Sequence, residues 1–246
     1  MLSSEYFSKL NQILHEIEVK ESSNIHTAAQ KIFDTVQSGG IVYFFGCTHA
    51  GILTQEAFYR TGGLAVINPV FLPGTTCDVT PITLSSQIER IDQYGYIGAK
   101  EKGIKKGDLV FLHSVSGRNS VPVDFALYCQ EAGADTVCIT SLAYSISAAS
   151  RHKSGKRLCE VCRLVIDDHC PVGDALVYAE QLGQSVAPAS TAAGAAIVNA
   201  IVADCVEIFL KNNVVPPVFL SANIDGGDEH NRWILEQYQK QIKYML

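Results

Sequence analysis

The sequence predicts an α/β fold: a three-layer α/β/α sandwich around a five-stranded parallel sheet, with helices added at the N-terminus. Three observations predict it. Five short apolar runs, beginning at Ile41, Leu64, Leu109, Thr136 and Leu164, have the length of buried strands. Stretches with apolar residues at helical spacing separate them, and that alternation gives a parallel sheet covered on both faces through right-handed crossovers. At 246 residues, 47% hydrophobic and 18% charged, the chain is long enough to bury one sizeable core. Residues 1–246 are therefore read as one domain, its core at about 24–211, with an N-terminal helix 3–20 and a C-terminal segment 214–246 as additions.

Taken in order, Leu10, Ile13, Leu14 and Ile17, then Ile25, Ala28, Ala29, Ile32, Phe33 and Val36, mark two helices separated at Glu21-Ser22-Ser23. Ser22 or Ser23 would cap the second, and Gly39-Gly40 would end it. Ile41 to Phe45 form the first strand. The turn Gly46-Cys47-Thr48-His49-Ala50-Gly51 then leads into a helix through Ile52, Leu53, Ala57 and Phe58 that stops at Thr61-Gly62-Gly63. Leu64 to Ile67 make the second strand, closed by Asn68-Pro69. Residues 70–92 are a long connection with a short helix of its own, and long loops in compact domains tend to be functional. This one is expected to cover the site or to meet a neighbouring subunit. A helix from Tyr94 to Lys102, ended by Gly103, precedes the central strand Leu109 to Leu112. A helix through Asp124 to Gln130, a strand Thr136 to Thr140 and a fifth strand Leu164 to Ile166 follow. Ser190-Thr191 begin a long Ala-rich helix ended by Asn212-Asn213, and a last helix covers 229–243.

The chemistry is concentrated between the central strand and its helix, at Ser114-Val115-Ser116-Gly117-Arg118-Asn119-Ser120. Gly117 lets backbone approach a ligand, Pro122 suits a first helical turn, and unpaired N–H groups at a helix start attract a phosphate. Ser114, Ser116 and Ser120 add hydroxyls; the competing reading is an ordinary capped loop. His49 is either a capping imidazole or a ligand-facing acid or base. Glu56 and Arg60, four residues apart on one helix, are either a solvated pair or an acid–base group beside a ligand contact. The loop Arg151-His152-Lys153-Ser154-Gly155-Lys156-Arg157 is a solvated turn or a holder for a charged substrate end. Asp225, Asp228, Glu229, His230 and Asn231 crowd one Gly-Gly turn, as an acid–base cluster or as the cap of the last helix.

Composition removes several classes. A net charge of −6 argues against a nucleic-acid partner. The N-terminus carries Glu5 and Lys9 and lacks a continuous apolar segment, so secretion is not signalled. The longest apolar stretch, Ala192 to Ala203, is interrupted by Asn199 and too short to span a bilayer, so no membrane association is expected. Eight cysteines without a framework suit reduced thiols in a cytoplasm. Cys159-x-x-Cys162 and His169-Cys170 are separated by the fifth strand, so neither a metal nor a cofactor is expected.

The run Ser114-x-Ser116-Gly117-x-Asn119, its helix, Gly133-Ala134 and the strand Thr136 to Thr140 resemble the signature half of the SIS (sugar isomerase) phosphosugar-binding domain, a flavodoxin-like fold. The family carries an SxSGxT-type loop there, and Asn119 stands in place of the Thr. Its first turn usually reads GxGxS, where this chain has Thr48 for the second Gly and Ala50 for the Ser. Catalytic relatives carry a Glu ten residues after that Ser, a place held here by Arg60. Over nearly the whole chain, with Ser154 to Leu158 and Gly173 to Leu176, the sequence is also similar to a little-characterised bacterial group of SIS proteins described as sugar isomerases. The resemblance implies an aldose–ketose isomerase of a phosphorylated sugar, built as a homodimer through the N-terminal helices. It puts phosphate on Thr48, Ser114, Ser116, Gly117, Asn119 and Ser120. The candidates for acid and base are Glu56, His49, Glu229 and His230, with Arg60, Asp225 and Asp228 as further substrate contacts. A sugar-phosphate lyase or etherase, or a phosphosugar sensor without turnover acting through a protein partner, is the alternative.

Overall fold

A computed structural model describes residues 1–245. Five parallel strands, β1 Val42–Gly46, β2 Ile67–Val70, β3 Leu109–His113, β4 Asp135–Thr140 and β5 Leu164–Asp167, lie in the order β2-β1-β3-β4-β5. The direction of winding reverses between β1 and β3, so β1 feeds outward to one edge and β3 to the other. Consecutive side chains on β1 divide between two cores, as a strand's alternation demands. Phe44 stacks on Phe111 toward α1 (Leu2–Gln37) and α8 (Ser190–Lys211), while Phe45 stacks on Phe125 of α5 (Ser120–Glu131). The second face is completed by α4 (Tyr94–Glu101) and the short α7 (Leu158–Val161).

The two predicted N-terminal helices are one, 36 residues long. Ile13, Ile17, Glu21 and Ile25 keep a single buried stripe at four-residue spacing, and Ser22 and Ser23 fall on the solvent side, where a serine costs a helix little. Glu21 is the polar residue that imitated a break; its carboxylate accepts from Asn24 at 2.8 Å and lies 3.4 Å from His169. The second strand begins three residues later than predicted and contains Asn68-Pro69. Proline is tolerated because β2 is an edge strand, with a free side that needs no N–H. Leu64, the expected start, instead makes an antiparallel bridge to Val218 of the C-terminal segment.

α2 (Ile52–Ala57) stops before the expected Thr61, and α3 (Thr83–Ile88) is the helix of the long connection. α6 (Leu142–Ser147) follows β4, capped by the Ser141 side chain, which accepts from the Tyr144 N–H. An antiparallel hairpin, β6 Ala175–Ala179 and β7 Gln184–Pro188, was not expected; it is held to α1 by Lys9 Nζ on the Leu176 carbonyl (2.9 Å). α8 is 22 residues long and so exceeds the expected apolar stretch; by length and composition it is enough to cross a bilayer. Half of its apolar window is buried, through Ile197, Ile201, Cys205 and Ile208 against α1 and the sheet. α9 (Gly227–Gln237) begins after Gly226, so Asp228 sits inside its first turn, and no side chain caps it. The C-terminal segment is pinned to the β2 edge by Asn68, which donates to the Val42, Val66 and Gln241 carbonyls and accepts from the Lys243 N–H.

Candidate functional site

Where the winding reverses, the loops leaving β1 and β3 diverge and open a crevice at the carboxyl edge of the sheet, the place where ligands of open α/β folds collect. The β1 loop is a tight turn. A Cβ on Gly46 would lie 2.5 Å from the Ala50 carbonyl oxygen, so glycine is required there. Thr48 to Gly51 form one 3-10 turn, and Thr48 has φ +52°, a conformation β-branched residues rarely adopt. Its N–H donates to the Thr75 carbonyl at 2.6 Å, which draws the long connection over the crevice. His49 is exposed, its Nδ1 3.8 Å from the Cys77 thiol of that connection. The Ala50 carbonyl accepts from His113 Nδ1 at 3.0 Å. Burial holds this imidazole neutral, its pKa pushed down to about 4.

The β3 loop is a cradle whose carbonyls are turned outward. Those of Ser114 and Val115 accept from the Thr140 hydroxyl at 2.7 and 3.0 Å, and Val115 also accepts from the Ser141 N–H. The Gly117 carbonyl accepts from the Leu158 N–H at 2.8 Å, and the Arg118 carbonyl from the Arg151 N–H at 2.8 Å. Among the described residues, the amides of Ser116, Gly117, Arg118 and Asn119 donate to no protein backbone acceptor. Asn119 occupies the N-cap of α5 with an extended backbone and makes no side-chain cap bond. The donors are therefore not consumed in capping their own chain, which the competing reading of this loop required. Gly117 supplies the necessary bend at φ +58°; a Cβ there would lie 3.3 Å from Leu158 Cβ, Ser145 Oγ and Thr140 Oγ1. Ser120 is buried, and its hydroxyl donates to the Arg151 carbonyl at 3.4 Å.

One acid and three arginines surround this cradle. Glu89, one residue past α3, is 8% exposed, and its carbonyl accepts from the Val121 N–H in the first turn of α5 (3.1 Å). Burial raises its carboxyl pKa, while the Asn119 side chain, Arg90 and Arg151 act in the opposite sense. Its charge is felt by the Cys47 and Cys77 thiols, both raised chiefly by burial. Arg151 donates from its guanidinium to Asn119 Oδ1 at 2.9 Å; its pKa is lowered by desolvation and by the neighbouring Arg118 and Arg90. Arg118 Nε is buried without a hydrogen-bond partner. The basic loop is fixed here by His152, whose Nε2 lies 2.9 Å from Asp124 Oδ1 with both side chains 2% exposed.

The remaining sequence candidates lie elsewhere. Glu56 is held by Arg60 and by Asn199 Nδ2 of α8 (3.3 Å). Arg60 and Asp228 line a cleft of about 450 Å³ beside the β2 edge, with Tyr59, Phe219 and Arg232. His230 donates from Nε2 to the Val218 carbonyl at 2.9 Å, and Asp225 and Glu229 are exposed. The structure thus gathers Thr48, His49 and Ser114 to Ser120 at the carboxyl edge, and Arg60, Asp225, Asp228, Glu229 and His230 around the C-terminal segment. The cradle is better suited to an anion than the cleft because it combines free amides, hydroxyls and guanidinium groups. Glu89, Arg90 and Arg118 went unassigned in the sequence. The one signal for Glu89 and Arg90 was the unusual length of the 70–92 connection, since a Glu-Arg pair after a short helix is otherwise an ordinary solvated end, whereas Arg118 lay within the singled-out Ser114–Ser120 run.

The family model described as the SIS domain matches residues 5–141, which takes in both loops of the crevice. A UPF0309 protein of Oceanobacillus iheyensis is 45% identical over 241 residues, covering 98% of each chain. A UPF0309 protein of Listeria innocua is 38% identical over 237 residues, 94% of this chain and 93% of its own. Among solved structures, a phosphoheptose isomerase of Neisseria gonorrhoeae superposes with TM-score 0.56 at 15% identity, covering 84% of this chain and 96% of that one. A phosphoheptose isomerase of Francisella tularensis gives TM-score 0.54 at 14% identity, covering 83% and 96%. The likeness to these two structures is one of fold, and the sequence relatives carry the membership: the chain belongs to the SIS-domain proteins, in their UPF0309 group.

Proposed function

We propose that the Ser114–Ser120 cradle binds the phosphate of a phosphorylated sugar and that the protein interconverts its aldose and ketose forms. The observation that carries this is the orientation of the cradle: carbonyls anchored outward on β4, α7 and the basic loop, amides of residues 116–119 free at the start of α5. The two phosphoheptose isomerases among the structures of like fold support the same ligand class. Ser114, Ser116, Asn119 and Ser120 would bond the phosphate oxygens, with Thr48 beside them on the β1 loop. A base takes the proton from the carbon next to the carbonyl, an enediol forms, and the proton returns one carbon over. His49, at the mouth of the β1 loop, is the nearest of the sequence candidates to that chemistry; Glu56, Glu229 and His230 would need a neighbouring subunit or a rearranged loop to take part. The setting is a cytoplasmic homo-oligomer.

A thermal-shift series with pentose, hexose and heptose phosphates, on wild type and Ser116→Ala, tests the binding. A ligand at a hundredfold excess over Kd stabilises the folded state by about 2.7 kcal/mol, and the variant should lose most of the shift. Incorporation of deuterium from deuterium oxide tests the isomerisation. Binding without exchange for every sugar would favour the sensor reading, which Ala50 and Arg60 support by standing where catalytic relatives have a hydroxyl and a carboxylate.

A further inference from the structure

We propose that Glu89 is the general base of this reaction, a carboxylate brought to the cradle by the β2–β3 connection rather than by α2. The assignment rests on the isomerase reading above and adds the residue that does the chemistry. Four observations carry it. Glu89 is the carboxylic acid that the fold buries beside the cradle: it is 8% exposed, and its own carbonyl is bonded to the first turn of α5. The Asn119 side chain, itself part of the cradle, is near enough to the carboxyl to favour its ionised form. Arg90 and Arg151 are also close enough to favour its ionised form, and Arg151 is bonded to Asn119 at 2.9 Å, so the acid sits among the cradle's own polar groups. The other acids of the region are engaged or distant: Glu56 is held by Arg60 and Asn199 against α8, Asp78 is exposed and bonded by Thr76, and Asp124 is paired with His152.

The environment suits the task. A base that works near neutral pH needs a carboxyl less acidic than one in water, and burial moves Glu89 that way, with Asn119 and the arginines acting in the opposite sense. In the step itself the Glu89 carboxylate takes the C2 proton of the aldose as the C2–H electron pair becomes the C1=C2 bond of the enediol and O1 takes a proton from a water molecule, leaving hydroxide. The O2–H proton then goes to that hydroxide, restoring the water, as C2=O forms and the carboxylic acid returns its proton to C1. No oxidant, reductant or cofactor enters the balance.

Wild type, Glu89→Gln and Glu89→Asp are incubated with the pentose, hexose and heptose phosphate panel in deuterium oxide, and the thermal shift given by inorganic phosphate is measured alongside. Deuterium exchange should fall by about 10²–10⁴-fold in Glu89→Gln while the phosphate shift is retained, since the amides that hold phosphate are untouched. Glu89→Asp should recover part of the rate, and its pH–rate profile should keep an acidic limb that the Gln variant lacks. Should Glu89→Gln exchange within tenfold of wild type, the base lies elsewhere and the assignment is lost, with the isomerase reading intact. If wild type exchanges no sugar at all, the isomerase reading is lost and the base with it. A merely structural Glu89 would lower the melting temperature and the phosphate shift together in Glu89→Gln, which also overturns the assignment.

Discussion

Asp168, directly after β5, offers a test of the carboxyl edge that does not depend on any ligand. It is fully buried; one carboxylate oxygen accepts from the Cys170 N–H at 2.9 Å, and the other has no partner. Burial, with Asp167 and Asp174 nearby, pushes its pKa up to about 7. The unfolded chain releases that proton near pH 4, so from about pH 4 to pH 7 the native state binds one proton more than the unfolded state, and stability falls as pH rises through this window. Three pH units at about 1.4 kcal/mol each set a ceiling of about 4 kcal/mol. Asn cannot titrate. In Asp168→Asn, the stability difference from wild type should therefore grow by up to about 1.4 kcal/mol per pH unit toward pH 7 and level off above it. Any fixed cost of the amide shifts the whole curve without changing its slope. The difference also cancels His113, whose depressed pKa acts in the opposite sense: its neutral imidazole costs stability as pH falls from about 6.5 toward 4. Urea unfolding of both proteins at four pH values reads the slope directly. A difference that stays constant from pH 5 to pH 8 would show that Asp168 is ionised like any surface acid, and the reasoning from burial would be wrong.

Two further substitutions separate the cradle from the scaffold. Gly117→Ala forces a Cβ into a left-handed residue with three atoms already at 3.3 Å; it should cost about 1–2 kcal/mol in stability and abolish the thermal shift given by phosphate. A retained shift would mean that phosphate does not sit on this bend. Asn68→Ala removes four hydrogen bonds at the β2 edge and strands the Lys243 N–H and the Gln241 carbonyl; we expect a loss of about 2–4 kcal/mol and proteolysis of the segment beyond α8. Resistance to protease equal to wild type would show that the segment is held by its apolar contacts alone.

The parts of this fold that were legible in the sequence are those set by local periodicity. β1, β3 and β4 were read because their apolar runs are buried on both faces, and the cradle because Ser, Gly and Asn between a strand and a helix carry their conformational preferences with them. The misreadings have one physical source, an interaction between residues distant in sequence. Glu21 broke the apolar stripe on paper, but it lies against His169 from beyond β5, and the helix runs through. Leu64 looked like a strand because it is apolar and buried, yet its backbone pairs with Val218. The β6–β7 hairpin has weak apolar alternation of its own and is held by α1. Glu89 is the clearest case. Its neighbours in sequence make it an exposed helix end, and only the return of α5 and the basic loop buries it.

The distribution of unsatisfied groups argues that the carboxyl edge is a working surface. At the opposite edge, Asp108 is buried and fully used: it accepts from the Ile41 and Lys105 N–H groups and ties β1 to β3. Asn68, on the edge strand, is satisfied at both ends of its amide. By contrast, among the described residues, the buried polar side-chain atoms without a hydrogen bond belong to Thr54, His113, Arg118, Asp168 and His169, the last with only its 3.4 Å ion-pair contact to Glu21, and all lie at or after the carboxyl ends of β1, β3 and β5. The strained Thr48 backbone and the buried Glu89 carboxyl lie at the same end. Each of these costs folding free energy that the core does not need to spend, and a sequence under pressure for stability alone would replace them with apolar or glycine residues. Their confinement to the carboxyl end of the sheet is what a ligand site predicts, because its donors and acids must be left free until a substrate completes them.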